Sequence, residues 1–305
     1  MKELLFLIDA NHMCSRAYYT HDLYASSGFP TGVIYGFFSM LRAECAKWQP
    51  DGLIVVWDYG KSEKRKKLWS NYKSKRQMRD DSWFKQVNKI HNILTALGIP
   101  RFGITGVEAD DIIGLLTLEK SVAEEFKKII IISSDNDMQQ LIQEKVVQYN
   151  PISKIAIDEK VLLDTTGLRP DQIVDYKALV GDKDEVPGVA GIGKKTASAI
   201  LKKHDNLKKF YVDYHDSKSD IKILENWSMV DLGQKLARII TNPEELSHEQ
   251  RLDYDMWLSK VWFKREDMYV DETMLTGLLH GLEFKWSKDL GDFLSGFMSV
   301  LKCKG

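Results

Sequence analysis

Along the first half of the chain, short unbroken apolar runs alternate with longer stretches of helical repeat. Residues 4–8 (LLFLI), 53–57 (LIVVW) and 129–132 (IIII) are continuous apolar runs, as expected for parallel strands buried on both faces. Residues 32–48 and 82–97 carry apolar positions at helical spacing and read as crossover helices. Residues 108–119 open with acids and continue IIGLLTLE, a helix start followed by an apolar stripe. The alternation predicts an α/β fold with a largely parallel central sheet flanked by helices.

From about Arg169 the pattern changes to helices joined by glycine-rich turns. PGVAGIGKKTASAILKKH reads as a glycine turn feeding a helix. From about Asn226 the chain is helical and rich in tryptophan, and Trp257, Trp262 and Trp286 are read as packing residues. No internal repeat and no low-complexity tract interrupts it.

With 305 residues, 44% hydrophobic and 29% charged, the composition is that of a soluble globular chain of one large or two modest domains. No apolar run approaches the roughly 20 residues needed to span a bilayer, so no membrane role is expected. Asp9 ends the leading apolar run early, making it a buried strand rather than a leader. Cys14, Cys45 and Cys303 are odd in number and lack disulfide or zinc spacing, which points to a reducing cytoplasm. The seven histidines show no HxxxH or HxH grouping, so a zinc site is not expected.

A net charge of −1 conceals an uneven distribution. Between Lys61 and Arg79 there are nine Lys/Arg and one Glu, a local balance of +8. Separate basic and acidic zones suit phosphate binding beside a metal site.

The acids recur where strands end. Asp9 follows LLFLI, Asp58 follows LIVVW, and Asp135 with Asp137 follows IIIISS. In an open α/β sheet, sites form outside the carboxyl ends of strands, so these four should converge on one edge. Glu108, Asp110 and Asp111 open a helix near it, and Asp182 with Asp184 come from the start of the helical part. Such a cluster would repel itself unless cations sat within it. All-oxygen ligation suits two Mg²⁺ or Mn²⁺ ions, which can activate a water and stabilise a leaving oxygen. Each acid alone also reads as a turn former, a helix cap or a complement to a helix dipole. Repetition at three strand ends favours the metal reading.

FLIDANHMCSRA, IVVWDYG, GVEADDIIG, IISSDNDMQQL and LVGDKDEVPGVAGIGKKTA occur in the order and approximate spacing of the 5′-nuclease family. Over residues 4–207 the chain resembles the 5′-nuclease domain of bacterial DNA polymerase I, phage 5′-exonucleases and flap endonucleases. The resemblance implies a nuclease core with a helix–three-turn–helix element. It also implies that Asp9, Asp58, Glu108, Asp110, Asp111, Asp135 and Asp137 hold metals directly or through water, with Asp182 and Asp184 nearest the second ion. The family usually has GD, two residues, then DN; GDKDEVPG is one residue shorter. Either Asp184 or Glu185 takes the second position.

GVAGIGKK looks like a P-loop, but Lys195 stands where a Walker motif needs Ser or Thr. The better reading is a hairpin, Gly191 and Gly193 with Lys194 and Lys195, binding a duplex phosphate at a helix N-terminus. In similar proteins this element also holds K⁺ on backbone carbonyls. KSEKRKKLWSNYKSKRQMR occupies the place of the family's arch, where Arg65, Tyr72, Lys73 and Arg76 match its basic and aromatic positions. There the cations would draw the scissile phosphate to the metals, with Lys73 and Arg76 sharing a helical face, and aromatics would stack on a displaced base. Arg16, Tyr35 and Phe37 are weighed as contacts too, with Tyr35 and Phe37 read as core.

The division expected is 1–168 for the nuclease core with a basic arch at about 60–90, 169–225 for the duplex-binding element, and 226–305 for a helical region of unclear role. The implied activity is a structure-specific 5′-nuclease, a monomer acting on DNA with 5′ flaps, nicks or RNA primers during replication or repair. The chain ends without a clamp-binding box and without a polymerase, which points to a phage or accessory enzyme that could meet replication proteins. Its rivals are a PIN-like ribonuclease and a non-catalytic branched-DNA binder lacking the second metal.

Overall fold

The three apolar runs become the centre of one sheet. In the computed structural model, which describes residues 2–75, 78–182, 185–213, 215, 217–260 and 269–301, the strands are β1 (Lys2–Asp9), β2 (Gly52–Val56), β3 (Arg101–Phe102), β4 (Phe126–Ile132), β5 (Val146–Asn150) and β6 (Ile155–Ile157). Their order is β3-β2-β1-β4-β5-β6. All neighbours run parallel except β6 against β5, so the largely parallel sheet expected from the sequence is present. Arg76, Asp184, Trp262 and Cys303 lie outside the described residues, as does the side chain of Trp286.

Alternation within each strand feeds two cores. Phe6, Ile8, Val55, Ile130 and Ile132 face one side, and Leu5, Leu7, Ile54, Ile129 and Ile131 face the other. The first side is covered by α1 (Ala10–Thr20), α2 (Gly32–Trp48) and, beyond the short α3 (Glu63–Leu68), α4 (Asp81–Ala96). The second is covered by α5 (Ala109–Leu118) and α6 (Lys120–Glu125).

A separate apolar cluster is built by α7 (Glu159–Thr166), α8 (Ile173–Val180), α9 (Lys194–His204), α10 (Leu207–Val212), α11 (Lys218–Glu225) and α12 (Trp227–Ala237). Gly233 of α12 lies on Ala178 of α8, where an added Cβ would meet the Ala178 Cα at 3.0 Å. Gly181 (φ 77°) and Gly188 (φ 65°) bring the chain back on itself after α8. A Cβ on Gly188 would fall 2.6 Å from the Gly181 nitrogen, so only glycine fits that crossing.

The remaining helices return to the sheet. In α13 (His248–Lys260), Trp257 stacks on Phe102 with ring centres 3.8 Å apart, and its indole N–H donates to the Arg101 carbonyl at 3.0 Å. On the opposite face, α14 (Glu272–Leu279) and α15 (Leu290–Ser295) bring Leu275, Leu279, Phe293 and Phe297 onto α2 and α4. Trp257 is therefore a packing residue, and the C-terminal residues complete both cores.

Candidate functional site

Strand register places the acids. Ile8 pairs with both Val55 and Ile132, so β1, β2 and β4 end level. The chain then delivers Asp9, Asp58 and Asp135 at the same edge within a few residues of each strand's last pair. Together with Glu108 and Asp110 at the start of α5, they line a cleft of about 630 Å³, with Lys73, Arg79 and His12 on its walls. Asp137 and Asp182 line an adjoining cleft that shares Asp135 and His12.

Several acids also do the local work of helix caps. Asp9 Oδ1 accepts from the His12 amide at 3.1 Å, and Oδ2 accepts from the Ser133 hydroxyl at 2.9 Å. Asp135 Oδ1 accepts from the Asp137 amide at 2.9 Å, and Asp58 Oδ1 from the Ala109 amide at 2.6 Å. Capping fixes each carboxylate's rotamer at the rim of the cleft.

Crowding and burial disfavour the charged forms. Burial, with the Asp9 charge adding to it, pushes the Asp58 carboxyl up to about 6. Burial also raises Asp9, and burial together with Asp111 raises Asp110 well above the usual range. Asp137 is pushed up to about 6 by burial, against the pull of Lys177. Glu108 goes the other way: burial opposes it, but Lys73 and Arg65 together hold it below its ordinary value.

Arg76 lies outside the described residues, so the face it was expected to share with Lys73 is not described, but other residues of the basic segment are. Lys73 sits in a turn at φ 51°, so it is not on a helix. Its ammonium lies 2.9 Å from Glu108 Oε1 and 3.9 Å from Glu185, at the wall of the cleft. Arg65 and Tyr72, expected on the nucleic acid, are turned inward and are 4% and 3% exposed. The Arg65 guanidinium donates to Asp111 through both terminal nitrogens at 2.7 and 2.8 Å, to Glu108 at 2.9 Å, and to the Leu236 and Arg238 carbonyls. The Tyr72 hydroxyl donates to Glu108 Oε2 at 2.8 Å. Asp111, expected among the metal acids, is 1% exposed and lines neither cleft. The carboxylates and carbonyls around Arg65 replace the water that a guanidinium's five donors would otherwise bond, and two of these acceptors are charged.

At the second cleft, Lys177 of α8 bonds Asp137 and lies 3.3 Å from Asp182. Asp182 and Val186 exchange backbone hydrogen bonds at 2.8 and 3.0 Å. Of the alternatives at the shortened motif, Glu185 lies near enough to Asp137 to help raise its carboxyl. Gly191 (φ 81°) and Gly193 form an exposed turn into α9, and the exposed Lys194 and Lys195 open that helix and line the second cleft.

His12, Lys177 and Arg79 line the clefts but were not singled out in the sequence. His12 follows Asp9 by three residues and Lys177 precedes Asp182 by five, spacings that carry meaning only once the helix directions are known. Arg79 donates to the Tyr19 hydroxyl at 2.6 Å and Ser15 at 3.1 Å, over the rings of Tyr18, Tyr19 and Trp83.

Among the described residues, no helix is long and apolar enough to cross a membrane. Two family models match: the 5′-3′ exonuclease N-terminal resolvase-like domain over residues 4–168 and the 5′-3′ exonuclease C-terminal SAM fold over 168–257. A 5′-3′ exonuclease of Aquifex aeolicus is 36% identical over 248 residues, 80% of this chain and 85% of its own length. DNA polymerase I of Bacillus caldotenax is 33% identical over 262 residues, 81% of this chain and 29% of the polymerase. Among solved structures, T5 5′-exonuclease with bound divalent zinc ions superposes with a TM-score of 0.65 at 20% identity, covering 92% of this chain and all of that one. The catalytic core of Rad2 in complex with DNA substrate superposes at 0.55 and 15% identity, covering 97% and 93%. The sheet, the acids at its edge and the two matched domains agree: this chain belongs to the 5′-3′ exonuclease family.

Proposed function

We infer that the chain is a divalent-metal-dependent, structure-specific 5′-nuclease that hydrolyses phosphodiesters in flapped, nicked or primer-bearing DNA. The observation that carries this reading is the convergence of Asp9, Asp58, Glu108, Asp110 and Asp135 on one cleft, beside Lys73. The donors suit hard cations, because carboxylate oxygens dominate and burial has already raised several of their pKa values. Asp9, Asp58, Asp110 and Asp135 would hold one Mg²⁺ or Mn²⁺, with Glu108 acting through water. Asp137 and Asp182, with Asp184 or Glu185, would hold a second. Bound there, the ions would supply an acidified water and charge stabilisation at the scissile phosphate.

The chain's own groups bind and orient. The Lys73 ammonium stands where it can meet a non-bridging phosphate oxygen, and Arg76 follows it in the same segment. Lys194 and Lys195, with the amides opening α9, would grip a duplex phosphate away from the cut, and carbonyls of the Gly191–Gly193 turn could hold K⁺. Hydrolysis leaves a 5′-phosphate on one product and a 3′-hydroxyl on the other. The T5 and Rad2 neighbours, solved with metal ions or with DNA, support both halves of the reading.

The test is Mg²⁺-dependent cleavage of end-labelled flap, nicked, single-stranded and RNA–DNA substrates side by side. Asp110→Ala and Asp135→Ala should abolish cutting while branched DNA is still bound in Ca²⁺. Wild-type cutting by either variant would overturn the metal assignment.

A further inference from the structure

The helical part holds a polar cluster that the acidic clefts do not use. His204 ends α9, His215 lies on the connection from α10 to α11, and Asp220 sits in the first turn of α11. Their side chains are 4%, 6% and 7% exposed. One ligand atom from each lies within 4.8 Å of the others.

The outer hydrogen bonds fix what the rings present inward. His204 Nδ1 lies 2.5 Å from Asp213 Oδ2, and His215 Nε2 lies 2.5 Å from the Phe210 carbonyl oxygen. A carboxylate and a carbonyl only accept, so each of these ring nitrogens carries the hydrogen. In the neutral rings, His204 Nε2 and His215 Nδ1 then offer lone pairs. Both of these nitrogens are buried and lack a hydrogen-bond partner among the described residues, and the second lies 3.6 Å from Asp220 Oδ2. Three acceptors facing one another, with no donor between them among the described residues, are costly to bury. An imidazole whose outer N–H is held by a carboxylate or carbonyl while its inner nitrogen faces a shared point is oriented as metal-binding histidines are.

We propose that His204, His215 and Asp220 bind a divalent transition ion of the Zn²⁺ type, separate from the nuclease clefts. Two imidazoles and a carboxylate suit Zn²⁺, whose bonds to such donors are about 2.0–2.2 Å, and they suit Mg²⁺ poorly. The ion ties the end of α9 to the start of α11 across a connection of several residues. It therefore braces the helix whose other end carries Lys194 and Lys195.

The experiment uses the full chain, stripped of metal and held in excess Mg²⁺ so that the oxygen-rich clefts are filled. Zn²⁺ titration by calorimetry should show one tight ion per chain, and Co²⁺ should give the visible bands of a nitrogen-ligated, low-coordinate site. His215→Gln should abolish that binding, and Asp213→Ala, which frees the outer hydrogen of His204, should weaken it by about 10- to 100-fold. Asp135→Ala should leave it unchanged. Absence of Zn²⁺ uptake by the wild-type chain would overturn the proposal without recourse to any variant. Uptake that survives in a folded His215→Gln, or that disappears in Asp135→Ala, would place the ion elsewhere and overturn it equally.

Discussion

Arg65 and Asp111 meet as a buried two-pronged pair, Nη1 to Oδ2 at 2.7 Å and Nη2 to Oδ1 at 2.8 Å. The pair joins the basic segment to α5, and the Ile240 amide, donating to Asp111 Oδ1 at 2.9 Å, ties in the stretch after α12. Removing one partner strands a buried charge, which costs about 3–5 kcal/mol. Arg65→Ala should therefore lower unfolding free energy in urea by that order, while the salt dependence of DNA binding stays as in the wild type. A phosphate-contacting arginine would give the reverse pattern, with intact stability and a flatter salt slope.

Lys73 differs, because its ammonium reaches the cleft wall as well as Glu108. A cation placed where charge develops acts mainly in the transition state. Lys73→Ala should lower single-turnover cleavage far more than it lowers affinity measured in Ca²⁺. Full-rate cutting once bound would reduce Lys73 to a partner of Glu108.

Lys194→Ala combined with Lys195→Ala should weaken duplex binding and flatten its salt dependence by about one to two units of slope, roughly one per lost phosphate contact. Affinity across a salt series checks this. An unchanged slope would remove the start of α9 from the DNA-binding surface.

Metal binding should depend on pH through Asp58 and Asp137, both pushed up to about 6 by burial. Below that pH the folded protein holds protons on these carboxyls, and an ion must displace them. The rise in melting temperature on adding Mg²⁺ should be largest near pH 8 and fade as the pH drops through 6 to 5. His91, held down to about 4 by burial and Arg101, makes acid destabilising below its ordinary range, but it does so with or without Mg²⁺. The difference between paired melts therefore isolates the acids. A Mg²⁺ shift of equal size at pH 5 and 8 would contradict the assignment.

The C-terminal residues should matter to stability as core. Phe293 is fully buried against Phe38 and Phe297, and Phe293→Ala should cost about 3–5 kcal/mol through lost burial and the cavity left behind. Denaturant midpoints measure it. A loss below about 1 kcal/mol would show that α15 contributes little to the first core.

The amino-acid sequence by itself determined the sheet and the meeting of its acids. Unbroken apolar runs at 4–8, 53–57 and 129–132 can only be satisfied by burial on both faces, and parallel pairing brings their carboxyl ends level. The acid that follows each run is then fixed at one edge by chain direction alone. Helix boundaries were legible for the same kind of reason: the helix expected at 32–48 is α2 (Gly32–Trp48), bounded by local spacing.

Relations between side chains far apart in sequence were decided only by the tertiary structure. A run of cations reads as one surface, yet Arg65 is drawn inside because Asp111, 46 residues away, sits where a guanidinium can satisfy its donors. The apolar stripes of α14 and α15 announce burial without naming the face of the sheet they cover. His204, His215 and Asp220 show no ligand spacing, because their convergence depends on how α9 and α11 pack. Local periodicity encodes which face of an element is buried, whereas partners across the fold follow from three-dimensional packing that no short window of sequence contains.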